Sequence, residues 1–89
     1  MEIIFDKSFN KSLNKINDRD VKAKIVDIIL EVEAAGTLAQ ITNIKKMQGF
    51  KTFYRIRIGD YRLGIELESS NALRFIIVLH RKDIYKKFP

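Results

Sequence analysis

Four arginines, one glutamate and one histidine carry most of the chemistry this sequence can offer. Arg55 and Arg57 alternate with Tyr54, Ile56 and Ile58, and Arg62 and Glu66 alternate with Tyr61, Leu63, Ile65 and Leu67. A period of two marks strands, on which alternate side chains share a face. If the apolar set faces a core, then Phe53, Arg55, Arg57, Arg62, Gly64 and Glu66 share the opposite face. Arg81, directly after a third apolar run, can reach the same place. Guanidinium forks grip phosphate oxygens in pairs, so such a patch suits the backbone of a nucleic acid. Arginines on a wet sheet face also serve as spacers that discourage edge pairing. Four of them beside one carboxylate repel one another, however, and that repulsion calls for an anion. Glu66 can be read as a cross-strand partner of Arg55 or Arg57, or as a proton acceptor.

His80 is the only histidine, the residue type that exchanges protons near neutral pH, and it immediately precedes Arg81. Tyr85 and Phe88 follow at a spacing of three. They can pack the tail onto the sheet, or one of them can stack on an RNA base, as can Phe53 on the basic face. Lys45, Lys46, Lys51 and Lys82 complete the surface expected to hold RNA.

These residues need elements to position them. Ile3 to Phe5 read as a first strand, with Asp6 as the cap of a helix carrying Phe9, Leu13 and Ile16 on one stripe. Asp18 lies in a second break and cap. Val21, Ile25, Ile28, Ile29 and Val32 then follow helical spacing, with Lys22, Lys24, Asp27 and Glu31 turned away. Gly36 ends that helix in the position that favours a left-handed residue. The short link predicts an antiparallel pair of helices. Residues 37–50 read as a connection tacked down by Ile41, Ile44 and Met47. Two alternating strands meet at Gly59-Asp60, and a turn at residues 68–71 leads into Leu73–Leu79, the continuous apolar run of a central strand. The chain is therefore expected to be a single α+β domain over residues 1–89. An N-terminal strand and a two-helix hairpin pack on a mostly antiparallel sheet of about four strands, with a short C-terminal tail.

Composition narrows the possible functions. Eighty-nine residues with 46% hydrophobic side chains make one folded domain. With no cysteine and a single histidine, neither a disulfide framework nor a zinc site is expected, and no cofactor is called for. The lack of cysteine suits a reducing cytoplasm. No apolar run approaches the roughly 20 residues of a membrane span, and the acidic start is unlike a signal peptide. The net charge of +6 is unevenly placed. Residues 1–44 hold six Lys/Arg against seven Asp/Glu, residues 45–89 eleven against four. That asymmetry points to a polyanionic partner.

The run from Phe53 to Leu63, FYRIRIGDYRL, resembles the hairpin signature of the RelE/ParE toxin superfamily. His80-Arg81-Lys82-Asp83-Ile84-Tyr85 is similar to the ending of its RelE-like branch, and the β-α-α-β-β-β order extends the resemblance over the whole chain. The resemblance implies the toxin of a type II toxin–antitoxin system, a RelE-like mRNA interferase that acts in the ribosomal A site and inhibits translation. Such an endoribonuclease needs no metal: the ribose 2′-hydroxyl attacks the adjacent phosphate and leaves a 2′,3′-cyclic end. It implies a cognate antitoxin, bound in a hetero-oligomer, with the ribosome and messenger RNA as the other partners and no membrane. Carried over by position, Arg55, Arg57, Arg62 and Arg81 clamp the phosphate, Tyr85 stacks on RNA, and His80 matches a C-terminal histidine that acts as acid or base. The prototype has lysines at the paired position. Arginine cannot accept a proton, so the base falls to His80, to Glu66 or to the ribosome, with His80 preferred. Two alternatives share the fold: a ParE-like inhibitor of DNA gyrase, and an inactive member that only binds RNA or protein.

Overall fold

A computed structural model describes residues 1–89. Strand β1 (Glu2–Phe5) leads into helices α1 (Lys7–Asn14) and α2 (Arg19–Ala34), then a 3₁₀ turn at Leu38–Gln40. Strands β2 (Ile44–Lys46), β3 (Phe53–Ile58), β4 (Tyr61–Ser69) and β5 (Ala72–His80) follow, and the one-turn helix α3 (Ile84–Lys87) closes the chain. The strands form one sheet in the order β1-β5-β4-β3-β2. β1 pairs parallel with β5, and every other pair is antiparallel.

The sheet thus has five strands where about four were expected. The additional strand, β2, lies in the segment read as a connection. Its three residues dock on β3 with Lys45 opposite Arg55. A three-residue edge strand with two exposed lysines is a usual way to blunt an edge, and it leaves no alternation long enough to read.

Helix α2 forms as its spacing predicts: Val21, Ile25 and Val32 are buried, while Lys22, Lys24 and Asp27 are exposed. Asp18 caps it, one carboxylate oxygen accepting from the amides of Asp20 (2.9 Å) and Val21 (3.2 Å), which satisfies two amides the first turn leaves free. Its exit differs from the expected glycine cap. Ala35 ends the helix in extended backbone, and the positive-φ glycines are Gly49 and Gly59, not Gly36. The chain leaves extended because it must enter the 3₁₀ turn, where the Gln40 side chain accepts the Gly36 amide at 2.6 Å.

Asp6 is the other departure. It precedes α1 but caps no amide. Its carboxylate accepts from the Ser8 hydroxyl at 2.8 Å and pairs with Arg74 at 3.2 Å. Arg74 also binds Glu68. The hydrogen bond to Glu68 raises the guanidinium above its ordinary pKa; burial opposes it, and the charge of Glu68 and the hydrogen bond and charge of Asp6 add to the rise.

Helix α1 packs along β5, and α2 lies against β1 and β3. Between helices and sheet sits the main core, built on Phe9, Ile25, Val32, Ile56, Leu63, Ile65, Leu73, Phe75 and Val78. Phe5, Phe9 and Phe75 form a triangle of rings with centroids 5.5–5.6 Å apart. Full burial of a side chain such as Phe9 or Phe75 contributes about 1.5–3 kcal/mol, whereas Phe5 is exposed at the rim. The predicted inward set of β3 and β4 faces this core.

Strand β5 carries a bulge. Gly64 pairs with Ile77 but Ile65 with Phe75, leaving Ile76 as an extra residue. Two serines of α1 bind the backbone there. Ser8 donates to the Ile76 carbonyl, and the buried Ser12 hydroxyl accepts the Val78 amide at 3.0 Å while donating to the Phe9 carbonyl at 2.9 Å. These bonds fix where the phase of β5 changes, and so which face each later side chain takes.

Candidate nucleic-acid interface

The β3–β4 hairpin builds the outer face. Its turn is Gly59-Asp60, with Ile58 paired to Tyr61. A positive φ of 58° at Gly59 alone is the II′ pattern, which glycine enters without strain and which matches strand twist. The register sets Arg57 directly opposite Arg62, Arg55 opposite Gly64, and Phe53 opposite Glu66. Asn43, Ile44, Lys45, Arg55, Arg57 and Arg62 line a concavity of about 330 Å³ that contains no carboxylate.

The electrostatics of this face are unbalanced. The molecule's three ion pairs are Arg74–Asp6, Arg74–Glu68 and Arg81–Asp60; Arg55, Arg57 and Arg62 take part in none of them. Glu66, read from sequence as a partner for Arg55 or Arg57, instead accepts a long hydrogen bond from the Thr52 hydroxyl, 3.4 Å. Arg62 turns back over the hairpin and donates to the carbonyls of Gly59 (2.7 Å) and Tyr61 (2.9 Å). Arg57 is exposed. Desolvated or not, like charges this close favour binding of an anion.

Arg81 reaches the site from the end of β5. Its amide donates to the Asp60 carbonyl at 2.7 Å, and its guanidinium stands 3.9 Å from the Asp60 carboxylate. With Arg57 and Arg62 it lines a second, larger cleft of about 660 Å³ beside α2. Asp27, Glu31 and Asp60 also line that cleft, so its charge is mixed, while the smaller concavity is lined by cationic groups without a carboxylate.

The tail divides the work of its aromatics. Phe88 is buried with Met47 and Ile84 in a small second cluster on the outer face. Tyr85 is 61% exposed and lies beside Arg55, whose guanidinium carbon is 5.2 Å from the ring centroid. Phe53 is edge-packed between Phe50 and Phe88, each 5.6 Å away, so most of its surface is already used. Of the two tail roles open in the sequence, Phe88 packs and Tyr85 remains available.

The structure does not bring His80 to the arginines. His80 pairs with Tyr61 across the sheet, and the rings meet edge to face at 5.6 Å. Both line a hollow on the α1 side with Lys11, Lys15 and Lys87. The reason is strand parity: Leu79, opposite the outward Arg62, faces out, and the next residue faces the other way. The His80 ring nitrogen Nδ1 accepts the Lys82 amide at 3.2 Å. The expected lysines divide as well. Lys45 joins Arg55, whereas Lys46 is opposite the inward Tyr54, and Lys51 and Lys82 are exposed on turns.

Two contributors were not visible in the sequence reading. Asn43 lines both arginine clefts in left-handed backbone, φ 59°, and its carbonyl accepts the Arg57 amide at 3.1 Å. Asparagine is the residue type that tolerates this conformation, the one signal that could have pointed to it. Phe50 was the other, and it carries no periodicity. No group of His, Asp or Glu side chains is arranged to hold a metal ion, and no helix is long and apolar enough to cross a membrane.

This two-helix layer on a five-stranded sheet is shared with RelE-type toxins of known structure. A family model described as the ParE toxin of type II toxin–antitoxin systems matches residues 3–85, and the chain belongs to this RelE/ParE superfamily, in its RelE-like branch. It is 39% identical over 90 residues to the Toxin RelE3 of Methanocaldococcus jannaschii, covering 100% of both chains. The structure of a RelB–RelE antitoxin–toxin complex from Methanococcus jannaschii superposes with a TM-score of 0.81 at 38% identity, covering 97% of this chain and 99% of that one. An archaeal RelE–RelB complex from Pyrococcus horikoshii OT3 shares the fold at a TM-score of 0.71 and 17% identity, over 90% and 93% of the two chains.

Proposed function

We propose that this toxin is a ribosome-dependent endoribonuclease that cuts messenger RNA in the cytoplasm and is silenced by a cognate antitoxin. The observation that carries the reading is the carboxylate-free concavity lined by Lys45, Arg55, Arg57 and Arg62. Attack of a ribose 2′-hydroxyl on the neighbouring phosphorus breaks the bond to the 5′-oxygen and leaves a 2′,3′-cyclic phosphate. The phosphate passes through a five-coordinate state with more negative charge than the ground state. Fixed guanidinium donors therefore bind that state better than the substrate. Arg57 and Arg62, opposite each other in the register, bracket the phosphate. Arg55 and Arg81 extend the clamp, and Tyr85 stacks on a base.

Arginine cannot take the 2′-hydroxyl proton, His80 stands on the other face, and Glu66, opposite Phe53 and bonded to Thr52, is not among the residues that line the arginine concavity. The clamp therefore stabilises charge and orients RNA, while the group that takes the 2′-hydroxyl proton and the one that returns a proton to the departing 5′-oxygen come from the ribosome or the RNA it holds. This accounts for the ribosome dependence in physical terms: the chain supplies an open, rigid cationic surface but not a complete acid–base pair. The same surface suits an acidic antitoxin segment, and the two structures compared above are RelE toxins in complex with RelB.

The test is to add purified toxin to messenger RNA with and without translating ribosomes and to map the ends. Cuts bearing 2′,3′-cyclic phosphate only when ribosomes are present are expected. Intact RNA while growth still stops contradicts the nuclease. Because the matching family model is described as ParE, a gyrase-directed poison is the second reading, and cleaved plasmid trapped with gyrase would favour it.

A further inference from the structure

Gly64 sits on the outer face directly opposite Arg55, and the ring of Phe88 occupies the space its side chain would take. A Cβ on Gly64 would stand 2.8 Å from Cγ, Cδ1 and Cδ2 of Phe88, closer than carbon atoms approach. Cγ is at the root of the ring, so rotation alone cannot clear the clash. Phe88 has little room to retreat. It is 3% exposed, meets Phe53 edge to face at 87°, and its amide is tied to the Ile84 carbonyl at 2.9 Å. Three residues before it, Tyr85 presents its ring to Arg55. One end of α3 is thus anchored on the strand pair, and the other delivers a tyrosine to the residue facing that anchor.

We propose that the contact of Phe88 with Gly64 is a latch that positions Tyr85 over Arg55, making Gly64 and Phe88 positioning residues for the RNA clamp. A four-residue helix has no stability of its own, and an exposed cation–π contact is too weak to hold a tail. An aromatic ring laid over a bare glycine compensates for the missing side chain in a sheet and gives α3 its fixed seat. Tyr85 is then ordered before RNA arrives, so its ordering does not weaken binding. A misplacement of about 1 Å in such a group costs about a hundredfold in rate. The consequence for cleavage rests on the proposed function; the latch itself does not.

The experiment compares Gly64→Ala, Phe88→Ala, Tyr85→Ala and the pair Gly64→Ala/Phe88→Leu in the full chain. The first readout is the NMR signal of the Arg55 guanidinium, displaced in the parent by the Tyr85 ring current. Gly64→Ala and Phe88→Ala are expected to abolish that displacement as fully as Tyr85→Ala, with the amide signals of β4 and β5 retained. Trimming the ring in Gly64→Ala/Phe88→Leu restores part of it. The second readout is ribosomal cleavage. Gly64→Ala is expected to lower kcat by about ten- to a hundredfold with little change in KM, and to add nothing when Tyr85 is already alanine. An Arg55 signal unchanged by Gly64→Ala overturns the latch, as do losses from Gly64→Ala and Tyr85→Ala that simply multiply. If the parent cuts no RNA but the Arg55 signal responds as described, the nuclease reading fails and the latch stands.

Discussion

The two faces of the sheet are built by the same strands and differ in almost everything else. Inward, Ile56, Leu63, Ile65, Leu73 and Phe75 are fully buried and fix the fold. Outward, Arg55, Arg57 and Arg62 surround a concavity without a carboxylate, and little of the fold's stability depends on them. One residue of strand phase decides which side chain belongs to which. His80 follows the outward Leu79 and so belongs with Tyr61 and the helix side, although it touches Arg81 in sequence. Adjacency along a strand is therefore poor evidence for a shared site, while a separation of two is good evidence.

The largest expected effect is on the outer face. Replacing Arg55 and Arg57 together by alanine should lower ribosomal cleavage by about a thousandfold, the scale of losing fixed donors to a charged transition state. Urea midpoints should move little, because Arg57 is exposed and Arg55 loses only its contact with the exposed Tyr85 ring, a loss of about 0.5–1 kcal/mol. The inner face should behave in the opposite way. Phe75→Ala removes a fully buried ring and should cost about 3–5 kcal/mol in equilibrium unfolding. If that variant lost only activity, the division between faces would be wrong.

Smaller effects refine the boundary. Ser12→Ala leaves the Val78 amide without its partner and should cost about 1–3 kcal/mol, read as faster exchange of that amide as well as a lower midpoint. Removing the Asp18 cap with alanine should cost about 1 kcal/mol and leave cleavage unchanged. Each arginine taken from the outer face should also flatten the salt dependence of RNA binding, by about 0.7 in the log–log slope.

Most of the fold was legible because its elements have strong periods. Val21 to Val32 repeat at helical spacing, and Tyr54 to Leu67 alternate, so the arginine face followed from parity alone. What escaped had no period to show. Strand β2 is three residues with one apolar side chain, and pairing with β3 makes it a strand. The bulge at Ile76 is hidden because the run from Leu73 to Leu79 is apolar on both sides of it. The Asp6 expectation failed because a distant partner, Arg74, takes its carboxylate, and the Gly36 one because the Gln40 side chain four residues on takes the Gly36 amide. In the site, the arginines and Tyr85 were brought together, while His80 was assigned by its neighbour in sequence rather than by its face.

The central claim is that phosphate chemistry resides on the arginine face and not at the histidine. It is tested most directly by measuring cleavage of ribosome-bound messenger RNA, at saturating toxin, for Arg57→Ala and His80→Ala side by side. Arg57→Ala should slow the cut by about a hundredfold or more, while His80→Ala should stay within about threefold of the parent, as expected for a side chain off the charged face. A His80→Ala variant that loses cleavage while folded, beside an Arg57→Ala variant that keeps it, would contradict the account.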